Sequence, residues 1–170
     1  MLYYAISVNL TMLAALGSIA TQQSKATQQT YDEVLWLLNY AVSHPGATIR
    51  CLVSDMILHV HSDAFYLSEQ KARRCVGGHY LRSNCSPDPT CAPNTGSTLN
   101  GPIHTVSNIL SNIMLSAAEA EFGATFLNSQ KAVPICNTLA ELGHPQPATP
   151  IRVDNSTDKG FANNTMKQKR

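Results

Sequence analysis

Three acidic residues, far apart in this sequence, each fall where a strand is expected to end or a helix to begin. Asp63 and Asp154 close short apolar runs rich in β-branched residues, and Glu121 lies near the start of a helical pattern. Strand ends and a helix start are places where a small α/β sheet can gather side chains from distant parts of the chain. Three carboxylates gathered in this way repel one another unless a divalent cation joins them. The constellation therefore predicts a site for Mg²⁺ or Mn²⁺.

Composition indicates a globular protein without a global charge that would attract a polyanion. Of 170 residues, 44% are hydrophobic and 14% are charged, which suits one domain or a compact domain with an added helical piece. The net charge is +1, so any contact with nucleic acid must come from local basic clusters. Each cluster alone is equally compatible with solvated surface charge. The residues concerned are Lys71, Arg73 and Arg74, and Lys167, Lys169 and Arg170.

The first 20 residues contain no charged side chain, which raises the question of a leader or a membrane span. A signal peptide has a basic first region and an uninterrupted apolar core. Here Lys25 is the first basic residue, and Asn9 and Thr11 interrupt the apolar run. We interpret the segment as a buried amphipathic helix and expect no membrane partner.

The cysteines favour a reduced, intracellular protein, cytoplasmic or nuclear. There are five, an odd number, and they are scattered through a chain too long to need covalent staples. Cys85 and Cys91 lie close enough in sequence to pair if oxidised. A zinc site that also used His79 and His104 would match no standard ligand spacing.

Residues 1–46 are predicted to form a helical region, a hairpin or a pair of helices. Apolar residues recur at helical spacing from Met12 to Ile19. Thr30 and Glu33 have the spacing of a capping box, which opens a second helix. The sequence His44-Pro45-Gly46 ends that helix. Its predicted apolar face consists of Val34, Leu35, Leu37, Leu38, Ala41 and Val42.

Residues 47–170 are predicted to form an α+β domain with a mixed β-sheet and flanking helices. In the run from Met56 to Ser62, the two-residue period places His59, His61 and Asp63 on one face and residues such as Leu58 on the other. A long irregular loop is expected at 84–100. Strands are predicted at 49–53, 56–62, 77–83, 103–106 and 151–154.

Two helices are predicted in this second domain. Ser116 and Glu119 have capping-box spacing and open the first of them. Pro134 is expected to break or kink this helix, and Gly143 to end its second piece. Residues 157–163 are predicted to start another helix.

Three motifs occur in a fixed order: Ser62-Asp63-Ala64, then Ser-Ala-Ala-Glu-Ala-Glu-Phe from Ser116, then Val153-Asp154-Asn155. The segment at 73–78 reads Arg-Arg-Cys-Val-Gly-Gly, and Trp36-Leu37-Leu38-Asn39-Tyr40 precedes the His44-Pro45-Gly46 exit. Together these stretches resemble the ribonuclease H domain of copia-type retrotransposon polyproteins with its preceding helical connection region. The resemblance covers nearly the whole chain, and its specificity lies in the order and spacing of the motifs.

The resemblance implies a ribonuclease-H-like fold and a metal-dependent nuclease. Asp63, Glu121 and Asp154 match the family's metal-binding, catalytic carboxylates, which hold two Mg²⁺ or Mn²⁺ ions in a complete site. Glu119 matches the first Glu of the helix motif, which we interpret as a capping residue. The implied substrate is the RNA strand of an RNA–DNA hybrid, and the implied partner is the remainder of a retroelement polyprotein.

The chain departs from the family pattern at two acidic positions. A fourth carboxylate should follow the third beyond a Lys-rich segment, yet no acidic residue follows Asp158. The acidic position just after the first motif is Phe65 here. We therefore expect a fragment truncated at its C-terminus, with weak or lost activity. The alternative is an inactive retroelement remnant that keeps the fold without catalysis. An unrelated secreted helical protein is supported only by the uncharged N-terminus.

Overall fold

The structure is a computed structural model that describes residues 1–69, 73–84, 100–110 and 116–154, with Gly160 and Asn163. Within it the chain divides into two compact units, Met1–Arg50 and Cys51–Arg170, and each is described by itself. Several sequence predictions lie outside the described residues: most of the 84–100 loop with Cys85 and Cys91, Lys71, the helix start at 157, and the basic tail.

The first unit is helical, as predicted, but it contains three α-helices rather than two. They are α1 (Leu2–Ser7), α2 (Leu13–Thr21) and α3 (Gln28–Ser43), with short 3-10 turns at Leu10–Met12 and Gln23–Lys25. The core of the unit consists of the buried residues Ala5, Met12, Leu13 and Leu37. The apolar face predicted for α3 is only partly used, because Leu35, Leu38 and Val42 are exposed.

The N-cap of helix α3 lies three residues earlier than predicted. Thr27 is the N-cap: its hydroxyl accepts the Thr30 backbone N–H at 3.3 Å, and the Thr30 hydroxyl accepts the Thr27 N–H at 3.2 Å. This reciprocal pair satisfies two of the free donors at the helix start. Glu33 instead accepts a hydrogen bond from Gln22, at 3.0 Å. The helix ends at Ser43, with His44 as the C-cap, as predicted.

The second unit is built on a four-stranded mixed sheet in the order β3-β2-β1-β4. Strands β1, β2 and β3 pair antiparallel in chain order, and β4 pairs parallel to β1 on its other side. The α+β class and the mixed sheet predicted from the sequence are confirmed at this level. The strands are β1 (Ile57–Glu69), β2 (Arg73–Ser83), β3 (His104–Leu110) and β4 (Ile151–Arg152).

The predicted strand at 49–53 does not form. Val53 is 99% exposed, and the backbone of Leu52 is held by the side chain of Asn100. The Asn100 carboxamide accepts the Leu52 N–H at 2.6 Å and donates to the Leu52 carbonyl at 2.8 Å. This side chain therefore satisfies both backbone groups of Leu52 without a neighbouring strand.

The face alternation predicted for β1 is confirmed. Leu58, Val60, Ser62 and Ala64 are buried, and the odd-numbered positions between them are partly exposed. The buried positions face the long helix α4 (Ala117–Glu141), since they share two apolar clusters with its residues. One cluster consists of Leu58, Val60, Tyr80, Val106, Ala132 and Leu139, and the other of Ala64, Val76, Ala120 and Ala124.

Helix α4 presents a row of small residues to the sheet. Ala120, Ala124, Asn128 and Ala132 recur every four residues and are all buried, so the helix axis can approach the strands closely. The helix runs continuously through Pro134, so the predicted break is absent. Gly143 follows the helix with φ of 90°, the left-handed conformation predicted for its stop.

Among the described residues, no helix combines the length and the apolar character that crossing a membrane requires.

Candidate metal centre

The three acidic residues singled out in the sequence lie together in the structure. One carboxylate oxygen from each of Asp63, Glu121 and Asp154 can be chosen so that all three lie within 4.8 Å of one another. Glu121 is buried, at 8% exposure, Asp63 is half-buried, and Asp154 is exposed. The cluster therefore has a buried side formed by the helix and an open side at the end of β4.

Strand pairing explains how Asp63 and Asp154 meet, although 91 positions separate them in the sequence. In the parallel pair β1–β4, Val60 lies beside Ile151 and His61 beside Arg152. The same register, carried two residues further, brings Asp154 alongside Asp63. Asp63 does not end its strand, as the sequence suggested, because β1 continues to Glu69 and pairs with β2 along most of that length.

The cluster lies at an edge of the sheet. Alternation alone assigns Asp63 to the face of β1 that points away from α4, with His59 and His61. Strand β4 ends at Arg152, however, so the Asp63 carboxylate lies on β1 just past the end of its neighbour. There it reaches both the Asp154 carboxylate and the Glu121 carboxylate of α4.

The start of α4 fixes Glu121. Ser116 caps the helix, and its hydroxyl accepts the Glu119 backbone N–H at 3.1 Å. Glu121 lies one residue after the buried Ala120, so it stands at the margin of the helix face that packs on the sheet. Glu119 is exposed and lies outside the three-carboxylate cluster. The cluster thus includes the glutamate predicted to bind a metal and not the one predicted to cap the helix.

Removing the cap of α4 should loosen the site. Ser116→Ala is expected to reduce the free energy of unfolding by about 1 kcal/mol, because the first-turn N–H groups lose their acceptor. Amide exchange in the first turn should accelerate while exchange near Leu139 stays unchanged. Equal acceleration along the whole helix would mean that the cap stabilises the helix only globally.

The donor set fits a hard divalent cation. Mg²⁺ prefers oxygen ligands at about 2.1 Å, so two ligands on opposite sides of one ion are about 4.2 Å apart. The 4.8 Å span of the three oxygens is slightly wider, and side-chain rotation of the exposed Asp154 can close the difference. A carboxylate can also bridge two ions about 4 Å apart. Asp63, Glu121 and Asp154 are thus the residues that would hold Mg²⁺ or Mn²⁺.

Two amide side chains that join elements near the site were not predicted from the sequence. The Gln146 side chain accepts the Leu58 N–H at 2.9 Å and donates to the Met56 carbonyl at 3.0 Å, which ties the segment before β4 to the start of β1. Asn128 joins α4 to β1 and β2. The four-residue spacing of Asn128 with the buried alanines of α4 is the sequence pattern that could have predicted its burial.

Histidines occupy the sheet face opposite α4. His61 and His79 are cross-strand partners, and the His79 ring lies 3.2 Å from the Thr105 hydroxyl. Partial burial, followed by the charges of Arg152, His79 and His59, lowers the pKa of His61. Partial burial lowers the pKa of His79 as well. Both rings therefore favour the neutral form, which weakens any role for His61 as a cation that contacts phosphate.

The lowered pKa of His79 predicts acid sensitivity of the sheet. The folded state holds the proton less well than the unfolded chain, whose His pKa is about 6.5. The neutral His79 ring therefore makes its full contribution to the stability of the fold above about pH 6.5. This contribution is lost as the pH falls toward the lower pKa of the folded state. His79→Gln should flatten the pH dependence of amide exchange in β1 and β2 between about pH 7 and 5. An unchanged slope would contradict this assignment, and His44→Gln in the helical unit is the control.

Comparison of the chain with protein-family models, with curated proteins and with solved structures finds no match. The features that point to a function are therefore the convergence of the three carboxylates and the order of the sequence motifs.

Proposed function

We propose that this protein is a ribonuclease-H-like, metal-dependent nuclease that hydrolyses RNA in RNA–DNA hybrids. The observation that carries the proposal is the convergence of Asp63, Glu121 and Asp154, with oxygens within 4.8 Å. The three residues belong to three motifs that occur in a fixed order in the sequence. Their convergence from separate parts of the chain is what a metal-dependent nuclease requires.

The fold is compatible with this proposal. The sheet has three antiparallel strands followed by a helix and then a strand parallel to the first. This connection places the first motif on β1, the second at the start of α4, and Asp154 of the third just past the end of β4. The protein that supplies such a domain would be a retroelement polyprotein of the copia type, acting inside the cell.

Each carboxylate has a distinct part in the proposed mechanism. Glu121, from its buried position, would hold cation charge on the helix side, and Asp63 would hold it on the sheet side. Asp154, which is exposed, would complete the ligand set where the substrate phosphate approaches. When bound, the divalent ions would supply an activated water and stabilise the leaving oxygen. The protein would recognise the hybrid by its backbone geometry and 2′-hydroxyl groups rather than by its bases.

A labelled RNA–DNA hybrid tests the proposal directly. The 170-residue chain should cleave the RNA strand only weakly in Mn²⁺ or Mg²⁺, because its cluster offers few ligands for a second ion, and should not cleave it in a chelator. Glu121→Gln should remove the activity, whereas Glu119→Gln, two residues away on the same helix and outside the cluster, should retain it. DNA duplex and single-stranded RNA serve as substrate controls. Cleavage that survives Glu121→Gln would come from a contaminant or another site and would refute the proposal.

The alternative is an inactive remnant with the same fold. It is favoured by one observation: among the described residues, the cluster that could hold a metal contains three carboxylates, which leaves few protein ligands for a second ion. In that case the wild-type chain should bind Mn²⁺ and Glu121→Gln should bind it more weakly. The hybrid should stay intact at every metal concentration.

A further inference from the structure

Asn128 is a fully buried polar residue at the junction of α4, β1 and β2. Its side-chain amide donates to the Ser62 hydroxyl and to the Gly77 carbonyl, both at 2.9 Å. Its side-chain oxygen accepts from the Tyr80 hydroxyl at 3.0 Å, and the same hydroxyl lies 3.0 Å from the Asn128 backbone carbonyl. The carboxamide therefore has a partner for each of its donors and for its acceptor.

Two of these partners flank Asp63. Ser62 is the residue before Asp63 on β1, and Gly77 is the cross-strand partner of Asp63 on β2. Glu121 lies seven residues before Asn128, which is two turns, or about 10 Å, along the same helix. One side chain thus links the helix that carries Glu121 to the Ser62 side chain, next to Asp63 on β1, and to the backbone of Gly77, its partner on β2.

The surrounding contacts cannot set this alignment by themselves. Ala120, Ala124 and Ala132 offer a smooth row of methyl groups to the sheet, and apolar contact is non-directional. Hydrogen bonds, in contrast, require defined distances and angles, and a buried polar network specifies one arrangement. The Asn128 side chain also occupies the space beside Gly78 that a larger residue would need. A Cβ at Gly78 would lie within 3.1 Å of three atoms of the Asn128 side chain.

We propose that Asn128 is a positioning residue that sets the distance between the carboxylates of Glu121 and Asp63, and thereby the affinity of the centre for divalent cations. The inference rests on the proposed function, because it requires the three carboxylates to bind a metal. It assigns to Asn128 an effect on metal affinity beyond its contribution to stability.

The test measures Mn²⁺ binding to the full chain by calorimetry, with unfolding followed in parallel. Asn128→Ala and Ser62→Ala remove bonds beside Asp63 and should weaken Mn²⁺ affinity by roughly 10- to 100-fold, the range seen when groups that orient ligands are removed. Tyr80→Phe removes only the bonds remote from Asp63. Leu139→Ala destabilises the far end of α4. Both should bind Mn²⁺ within about twofold of wild type, because Tyr80→Phe leaves the two Asn128 bonds beside Asp63 in place and Leu139 is remote from the acidic cluster.

The outcomes separate this inference from the proposed function. A positioning role is supported if Asn128→Ala and Ser62→Ala lose affinity for Mn²⁺. Tyr80→Phe and Leu139→Ala must retain that affinity. Unchanged affinity in all four variants, or a loss that only follows stability, overturns the inference and leaves the metal centre intact. Absence of Mn²⁺ binding by the wild type would overturn the proposed function and this inference with it. If Asn128→Ala does not fold, Ser62→Ala decides the question.

Discussion

Asp63→Asn is expected to change stability in opposite directions with and without metal. In a chelator, the variant should be more stable than wild type by up to about 1 kcal/mol, because one of three neighbouring like charges is removed and the group is half-exposed. With Mn²⁺ at about 100 times the dissociation constant, wild type should gain about 2.7 kcal/mol. The variant should gain almost none, so the order of stabilities reverses.

Chemical unfolding in a chelator and in Mn²⁺ measures both effects, with Glu119→Gln as the matched control. That variant also removes one acidic charge from the second unit, but Glu119 lies outside the cluster. It should therefore retain the full stabilisation by Mn²⁺. Equal gains for wild type and Asp63→Asn would show that the ion binds elsewhere, and the metal centre would have to be abandoned.

The sequence predicted the location of the acidic cluster because its members belong to short motifs with strong local signals. Asp63 ends an alternating run whose period placed Leu58 and Val60 on the buried face, and the structure agrees. Ser116 provided a helix start, and the structure confirms it as the N-cap. These features depend on a few adjacent residues, so local pattern suffices to find them.

Other features depend on partners far away in sequence, and these were missed or predicted incorrectly. The run at 49–53 has strand-forming residues, but Asn100, 48 positions beyond Leu52, bonds the Leu52 backbone in place of a neighbouring strand. Likewise, Asn128 matters through Ser62, 66 positions away. No local pattern reveals such pairs, because each is created only when the chain folds.

The two-residue length of β4 was equally invisible in the sequence. The apolar run from Ile151 predicts a strand that reaches Asp154, whereas pairing stops at Arg152. The early stop leaves Asp63 beside the end of a strand rather than beside its middle. The three carboxylates come from β1, from α4 and from a residue two positions past β4, an arrangement that only the folded sheet defines.

The adjacent glycines of β2 should respond very differently to the same substitution. Gly78→Ala places a methyl group about 2.4 Å from the side-chain oxygen of Asn128, which is buried and bonded on every side. Overpacking costs about 1 to 3 kcal/mol, and displaced hydrogen bonds in a buried site cost a similar amount. We expect a loss of roughly 2 to 5 kcal/mol in the free energy of unfolding.

Gly77→Ala is the matched control, because a Cβ there meets Asp63 only at ordinary contact distance, 3.8 to 4.0 Å. It should be neutral or stabilising by up to about 1 kcal/mol, since alanine loses less backbone entropy than glycine in a strand. Denaturant unfolding of the two variants makes the comparison. A double variant completes the cycle: in an Asn128→Ala background the obstructing carboxamide is gone, so Gly78→Ala should cost little further stability. If Gly78→Ala remained equally harmful without the Asn128 side chain, the clash would lie with other atoms, and the close fit between this glycine and this asparagine would not be what aligns α4 with the sheet.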